Sequence, residues 1–255
     1  MSASRQAFDY RQSPFPIPRE KSDAYRAAWR YIASPGNWWT GSERLAIART
    51  ARAAENCSLC DRRAAALSPL AVSGAHDPAE SQDLLADEVV DTIHRICTDS
   101  ARLTGSRVAE LINDNFSYGH YVEMLSVVVT LVSIDSFHQV LGLPVPLLPE
   151  PLDGIPDNYL PAGAAIDVAW VPMIYPENLT ETEADIYFGA PRMGNVIRAM
   201  SLIPDAVRML HTLSAAQYLP TPQVMDMGAT GSLTLQRPQT ELVAARTSAL
   251  NDCFY

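Results

Sequence analysis

Apolar residues recur at three- and four-residue spacings along most of this chain, the pattern of helices with one buried face. The pattern covers residues 24–32, 43–54, 84–98, 107–113, 121–141, 196–218 with an interruption at Pro204, and 238–250. No stretch shows convincing alternation of apolar and polar residues. The valine-rich run 127–132 lies in a long pattern without Gly or Pro, which favours a buried helix over a strand. The sequence therefore predicts an all-α protein.

Length and composition limit the class of protein. A chain of 255 residues has enough material for one large domain or two small ones. The apolar share of 47% and the charged share of 19% are typical of a protein that folds. A formal charge of −10 repels phosphate backbones and anionic lipid, so nucleic acid is not an expected partner.

No targeting segment is evident. Residues 1–20 lack the unbroken apolar stretch of a signal peptide, and the longest apolar run, 124–134, is shorter than the roughly 20 residues that span a bilayer. We therefore predict a cytoplasmic protein without a membrane partner. Thiols stay reduced in that compartment, so four cysteines favour a catalytic or metal-binding role over a disulfide scaffold.

Proline content suggests where the chain divides. Six prolines fall between residues 144 and 161, which predicts an extended linker that leaves the first helical domain. The expected division is an amino-terminal arm at 1–23, a helical domain at 24–143, the proline-rich linker at 144–177 and a second, partial domain at 178–255. The Thr180-x-x-Glu183 pattern predicts a helix start after the linker.

The pair Cys57 and Cys60 carries the most specific chemistry. Cysteines three residues apart at the start of a helix place both sulfurs on one face, where first-turn amide groups favour a thiolate. Such a pair can attack a peroxide with one sulfur and resolve with the other. The nearest downstream histidine, His76, lies in a loop-like stretch, where we expect it to be solvated.

Structural zinc is the main alternative for the same thiols. His94 and Cys97 supply a second half-site, so that Cys57, Cys60, His94 and Cys97 form a possible ligand set. Cys97 lies inside an amphipathic helix, where a cysteine is more often a small buried hydrophobe. This favours the redox interpretation of the pair.

A second cysteine segment repeats the first. Residues 45–51, Leu-Ala-Ile-Ala-Arg-Thr-Ala, match residues 242–248, Leu-Val-Ala-Ala-Arg-Thr-Ser, and each segment leads to a cysteine, Cys57 or Cys253. Glu241 lies twelve residues before Cys253. The given sequence ends one position before a second thiol would complete this pair.

These segments resemble the alkylhydroperoxidase D and carboxymuconolactone decarboxylase-like family, whose signature is a Glu about a dozen residues before a C-x-x-C pair. A His commonly follows the second Cys by four residues, but here Ala64 stands at that position, and Glu43 is the nearest acid in the first segment. The resemblance implies a helical bundle of that type in two tandem copies, the second partial.

The resemblance also implies a function, thiol-dependent reduction of hydroperoxides by an antioxidant oxidoreductase of the thiol peroxidase type. The expected catalytic residues are Cys57, Cys60, Glu43, Glu241 and Cys253. By family analogy Cys60 attacks the peroxide and Cys57 resolves. No cofactor is expected unless zinc binds, and the expected partners are a hydroperoxide, a thiol reductant and further copies of the chain.

Two alternative functions stay open, and the end of the second cysteine segment has two explanations. The chain can be a zinc-stabilised or degenerate helical assembly protein that has lost the chemistry, or a lyase acting on a lactone-like acid. The abrupt end of the second segment is consistent with a truncation. It is also consistent with a selenocysteine codon read as a stop, because some relatives carry selenocysteine in this pair.

Overall fold

A computed structural model of the chain describes residues 8–11, 13–68, 70–80, 82–230, 234–251 and 253. Its nine α-helices within these residues are α1 (Arg19–Ala33), α2 (Gly41–Ala54), α3 (Ser58–Ala65), α4 (Asp87–Thr98), α5 (Gly105–Leu111), α6 (Tyr118–Val140), α7 (Asn195–Arg198), α8 (Pro204–Gln217) and α9 (Arg237–Leu250). Strand β1 (Ala164–Ala165) pairs antiparallel with strand β2 (Met173–Ile174), and these form a two-stranded sheet. The predicted helix-rich character is confirmed, whereas the bundle type and the duplication stay predictions.

Local sequence explains where two of the main helices begin. Thr40 and Glu43 form a capping box at the start of α2, in which each side chain bonds the other residue's backbone N–H. Ser117 and His120 form the equivalent pair at the start of α6. These boxes satisfy N–H groups that have no partner inside the helix, so both starts follow from residues three apart in sequence.

Helix α2 is the centre of the packing. It contacts α1, α4 and α6, and helix α8 from the second half of the chain packs on both α1 and α6. One core cluster includes Ile32, Leu45, Ile93, Leu131 and Val207, all 1% exposed or less. Side chains from both predicted domains therefore share one core, and the predicted domain boundaries stay untested.

The proline-rich segment runs back along the first helices. The backbone N–H of Leu152 donates to the carbonyl of Ala33 at 2.9 Å, and that of Asn158 donates to Asn37 at 2.8 Å. Trp29 Nε1 donates to the carbonyl of Leu147 at 2.8 Å. Residues 143–161 form no helix or strand, and several of their groups bond the helical part of the chain.

Two sequence patterns in the second half of the chain do not form the continuous helices that they predict. Thr180 and Glu183 make the predicted capping bonds, from the Thr180 N–H and hydroxyl to the Glu183 carboxylate, but turns follow them and no helix forms. The 196–218 pattern divides into α7 and α8 because Pro204 has no N–H to donate and occupies the first turn of α8.

The two matching cysteine segments lie in opposite environments. Leu45 in α2 is 0% exposed, but its counterpart Leu242 in α9 is 72% exposed. Val243 and Leu250 on α9 are also exposed, so this helix leaves apolar side chains uncovered by the part of the chain that the structure describes. Residues 252, 254 and 255 of the second cysteine segment lie outside the described residues.

Helix α6 is long and apolar enough to cross a membrane by length and composition alone. Within its most apolar window, 61% of the residues are buried inside the structure. The buried helix predicted around 127–132 is this element, and core helices commonly pass the same length and composition test.

Candidate metal centre

Four side chains converge at one end of α3. Cys57, Cys60, His76 and His94 each present one atom able to bind a metal, and these four atoms lie within 4.8 Å of one another. Two sulfurs and two imidazole nitrogens form a ligand set that can hold a metal ion. The four residues come from the start of α3, the loop that follows it and helix α4.

The position of the two cysteines follows from how α3 begins. Cys57 is the residue before the first turn, with extended backbone dihedrals, and Cys60 lies in that turn. Cys57 makes no side-chain capping bond. Asp77, from the loop, accepts hydrogen bonds from the Ser58 N–H at 2.8 Å and from the Ser58 hydroxyl at 3.2 Å.

This cap brings the neighbouring histidine to the thiols. His76 Nδ1 lies 3.4 Å from the sulfur of Cys57 and 3.8 Å from that of Cys60. The His76 side chain is 8% exposed, so the expectation of a solvated loop histidine was wrong. His94 approaches from the amphipathic helix α4, and its Nδ1 lies 3.3 Å from the Cys60 sulfur.

Asp91 fixes the orientation of His76. The His76 Nε2 atom lies 3.0 Å from Asp91 Oδ1. An ionised carboxylate only accepts hydrogen bonds, so Nε2 carries a hydrogen, and in the neutral ring Nδ1 then presents its lone pair to the sulfurs. A carboxylate behind a ligating histidine is a recurrent feature of metal sites.

Asp91 remains ionised because of the charges around it. Its carboxylate accepts hydrogen bonds from Arg63 at 2.6 Å and from Arg95 at 2.7 Å, and it pairs with Arg107 at 3.4 Å. Burial alone would raise the pKa of Asp91, but the bonds from His76, Arg95 and Arg63 hold it far below its usual range.

The distances match those of a tetrahedral metal site. With Zn–S near 2.3 Å and Zn–N near 2.0–2.1 Å, a sulfur and a nitrogen on one tetrahedral zinc lie about 3.6 Å apart. The three sulfur–nitrogen distances given above, 3.3, 3.4 and 3.8 Å, scatter around that value.

The two thiols differ in acidity in the metal-free protein. Burial opposes ionisation of Cys57, but hydrogen bonds from the backbone of Asp77 and Cys60 and from His76 bring its pKa down to about 7. Burial raises the pKa of Cys60 to about 11. Cys57 is therefore the sulfur that ionises first.

The two imidazoles also differ. Burial would lower the pKa of His76, but its hydrogen bond to Asp91 raises it above the ordinary value. The pKa of His94 falls to about 4 because the ring is buried and faces the charge of His76. His94 is thus neutral at physiological pH, the form that binds a metal.

The group is closed to solvent. Cys57 and His94 are 0% exposed and Cys60 is 3% exposed. The loop residue Val72 covers the cysteines and packs with Leu59 in a small apolar cluster separate from the main core. A site of this kind excludes water and small molecules unless the loop moves.

Two residues proposed from the sequence lie outside the group. Cys97, the predicted fourth zinc ligand, is not among the four converging residues, and burial raises its pKa to about 12. Glu43, the predicted proton-transfer residue, accepts bonds from the N–H and hydroxyl of Thr40 in the α2 capping box, at 2.8 and 2.6 Å. Its carboxylate therefore has a structural partner at the helix start.

The residues predicted for a second site lie on and after α9. Glu241 accepts hydrogen bonds from the Tyr218 hydroxyl and from Arg237. Cys253 is an exposed free thiol. The structure does not bring these residues to the Cys57–Cys60 pair, and their catalytic role stays a prediction.

Searches against protein-family models, curated proteins and solved structures find no match to this chain. The alkylhydroperoxidase D-like resemblance therefore stays a resemblance, and the four converging side chains carry the functional interpretation.

Proposed function

We propose that Cys57, Cys60, His76 and His94 bind one zinc ion, and that this ion stabilises the helical protein. The observation that carries the proposal is the convergence of two sulfurs and two imidazole nitrogens within 4.8 Å of one another in a closed site, with three sulfur–nitrogen distances of 3.3–3.8 Å. Four protein ligands without an open position are the usual arrangement of structural zinc.

Charge supports zinc at this position. Two thiolates balance the charge of Zn²⁺, so the buried centre is neutral overall with two neutral histidines. Without the metal, a thiolate at Cys57 depends on hydrogen bonds alone. The carboxylate of Asp91 behind His76 supplies the outer hydrogen bond that zinc-binding histidines commonly have.

The zinc ion joins three separate parts of the chain. It links the start of α3, the irregular loop 70–80 and helix α4, and a ligand that binds only the folded state stabilises that state. With free zinc at 1,000 times the dissociation constant, the stabilisation is about 4 kcal/mol.

Metal analysis of the purified full chain tests the proposal. We expect one zinc per chain, and a Co²⁺-substituted protein with the absorption of a tetrahedral site containing two thiolates. His76→Ala should lose the metal, whereas Cys97→Ala should keep it. This pair of variants separates the ligand set given by the structure from the set predicted by the sequence.

Three results would overturn the zinc centre. They are a protein that takes up no zinc after reduction and reconstitution, a Co²⁺ spectrum without thiolate bands, and zinc binding that requires Cys97 but tolerates His76→Ala. Circular dichroism of each variant would show whether a loss of metal comes from a loss of fold.

A second candidate function is thiol-dependent reduction of hydroperoxides by the metal-free protein. The specific observation in its favour is the chain of contacts Cys57–His76–Asp91, in which a sulfur, an imidazole and an orienting carboxylate follow one another at 3.4 and 3.0 Å. Cys57 would attack and Cys60 would resolve, the reverse of the order that the family resemblance implies.

Peroxide consumption with a thiol reductant tests this second candidate. Cys57→Ser and Cys60→Ser should each abolish turnover by the metal-free protein, and His76→Ala should lower the rate by about 10²–10⁴-fold. Glu43→Gln should leave the rate unchanged. Turnover that survives loss of both thiols would exclude the candidate.

A further inference from the structure

The loop 70–80 is attached to α3 through contacts close to the four converging residues. Asp77, next to His76, caps α3 at Ser58, next to Cys57. Arg63 Nε donates to the carbonyl of Val72 at 3.3 Å. Because these contacts adjoin the metal ligands, a change at the ligands acts directly on how the loop is held.

The same loop separates the thiols from solvent. Cys57, Leu59 and Cys60 are 3% exposed or less, and Val72 packs on them. Opening of the loop would expose both sulfurs and the apolar side chain of Leu59. Access of a reagent to the sulfurs is therefore coupled to displacement of the loop.

The two sulfurs are also positioned to react with each other. They lie within 4.8 Å, and Cys57 stands in the extended residue just before the helix, outside the helical hydrogen-bond ladder. The S–S distance of a disulfide is about 2.05 Å. Rotation of the Cys57 side chain can shorten the distance between the two sulfurs without unwinding α3.

We infer that a hydroperoxide oxidises the zinc-bound Cys57–Cys60 pair to a disulfide, and that this reaction expels the zinc ion and frees the loop 70–80. The inference rests on the proposed zinc centre. It assigns the site a redox activity that is stoichiometric and is coupled to metal release.

The reaction balances as follows in atoms and electrons. The Cys57 thiolate attacks the terminal peroxide oxygen, which keeps its hydrogen, and the O–O bond breaks. The alkoxide takes one proton from solvent and leaves as the alcohol, giving a sulfenic acid on Cys57. The Cys60 thiolate then attacks the Cys57 sulfur, the S–O bond breaks, and the hydroxide takes a second proton from solvent and leaves as water. Two electrons pass from the sulfurs to the peroxide.

Loss of zinc follows from the chemistry of its ligands. Zinc binds cysteine as the thiolate, and both thiolates are consumed when the disulfide forms. His76 and His94 remain, which leaves two of four ligands. A reductant and free Zn²⁺ should restore the closed site, because disulfide formation is reversible by thiols.

Cumene hydroperoxide added to the zinc-loaded full chain tests the inference, with a coloured zinc chelator present. Cys253→Ser serves as the background, because Cys253 is an exposed free thiol and would also react with the peroxide. We expect one zinc released for each two thiols lost, a Cys57–Cys60 disulfide in the peptide map, and faster hydrogen exchange in residues 70–80. Dithiothreitol with zinc should reverse all three changes.

Cys97→Ser in the same background is the matched control. It removes a half-buried thiol near the site that is not among the four ligands, and zinc release should be unchanged. Removal of zinc by a chelator without peroxide should free the loop and leave both thiols reduced.

The outcomes separate this inference from the zinc proposal. A chain that binds no zinc defeats the proposed function itself. A chain that binds zinc but keeps it while Cys57 and Cys60 are oxidised defeats the inference alone. So does zinc release with a disulfide between Cys60 and Cys97, or zinc-loaded protein that does not react with the peroxide.

Discussion

His76 Nε2 and Asp91 Oδ1 lie 3.0 Å apart, and this contact determines which nitrogen of His76 faces the two cysteines. The histidine comes from a loop and the aspartate from α4, one turn before His94. The contact therefore joins the loop ligand to the helix that supplies the other imidazole. It also gives His76 a hydrogen-bond partner, Asp91, that is not one of the four converging residues.

Substitution Asp91→Ala should weaken zinc binding by about 10–100-fold, because His76 loses the acceptor that fixes its tautomer and ring orientation. Competition with a fluorescent zinc chelator measures the affinity. Nitrogen chemical shifts of His76 in the metal-free protein would report the change of tautomer, which a general loss of stability would not produce.

Asp99→Ala is the matched control for Asp91. Asp99 pairs with Arg102 at 2.5 Å near the end of the same helix, and none of the four converging residues is among its ion-pair partners. Its loss should leave zinc affinity unchanged. Equal affinities for the two variants would show that Asp91 does not position His76.

Glu123→Ala should destabilise the protein by about 3–5 kcal/mol, because it leaves the charge of Arg44 buried without its partner. The Arg44 and Glu123 side chains are 2% and 0% exposed and lie 3.1 Å apart. Denaturant unfolding of the zinc-loaded protein measures the free energy. The double variant Arg44→Leu with Glu123→Leu should cost less than the sum of the two single losses, and simple additivity would contradict a coupled pair.

The protein should become less stable as the pH decreases, and protonation of His138 should be one cause. This residue donates through Nδ1 to the Pro144 carbonyl at 2.9 Å and accepts from the Tyr10 hydroxyl through Nε2 at 2.8 Å. Burial lowers its pKa in the folded protein. Above the unfolded pKa of about 6.5 the ring is neutral in both states, so stability is lost as the pH drops below that value.

His138→Gln tests this pH dependence, because glutamine offers a donor and an acceptor without titrating. Thermal midpoints of both proteins at saturating zinc, between pH 7.5 and 5, should diverge, with the wild type falling more steeply. The four converging residues are the same in both proteins, so their contribution to the pH dependence cancels when the two sets of thermal midpoints are compared. Parallel curves would mean that His138 does not contribute.

Glu241→Gln should change stability by less than about 1 kcal/mol, because Glu241 is partly exposed and Arg237 keeps its hydrogen bonds to the carbonyls of Val224 and Asp226. The Glu241 side chain is 38% exposed and pairs with Arg237 four residues earlier in α9. Zinc content and thiol reactivity at Cys57 and Cys60 should be unchanged. A loss of either would revive the catalytic role that the family resemblance implies for this glutamate.

The helices were the predictable part of the fold. The apolar periodicity placed α1, α2, α4, α6 and α9 within a few residues of their observed bounds, since a helix that buries one face must repeat its apolar residues. The capping box of Thr40 and Glu43 is readable in the same way, because its partners are three residues apart. The division of the 196–218 pattern follows from Pro204.

The sequence identified three of the four residues of the candidate site. The spacing of Cys57 and Cys60 indicated one face of a helix start, and His94 was recognised as a possible ligand. His76 was missed, because an isolated histidine in a loop carries no periodic signal. A histidine followed by Asp and Pro within twenty residues of a C-x-x-C pair is the only sequence signal that points to it.

The sequence by itself determined the local structure: which segments are helical, where several of them start, and that two sulfurs share one helix end. Only the tertiary structure decided what those segments face. Leu45 and Leu242 occupy equivalent positions in matching segments, but one is buried and the other exposed. His76 rather than Cys97 joins the cysteines because Asp77 caps α3 and Asp91 holds the imidazole. These contacts join residues far apart in the chain, and local periodicity carries no information about them.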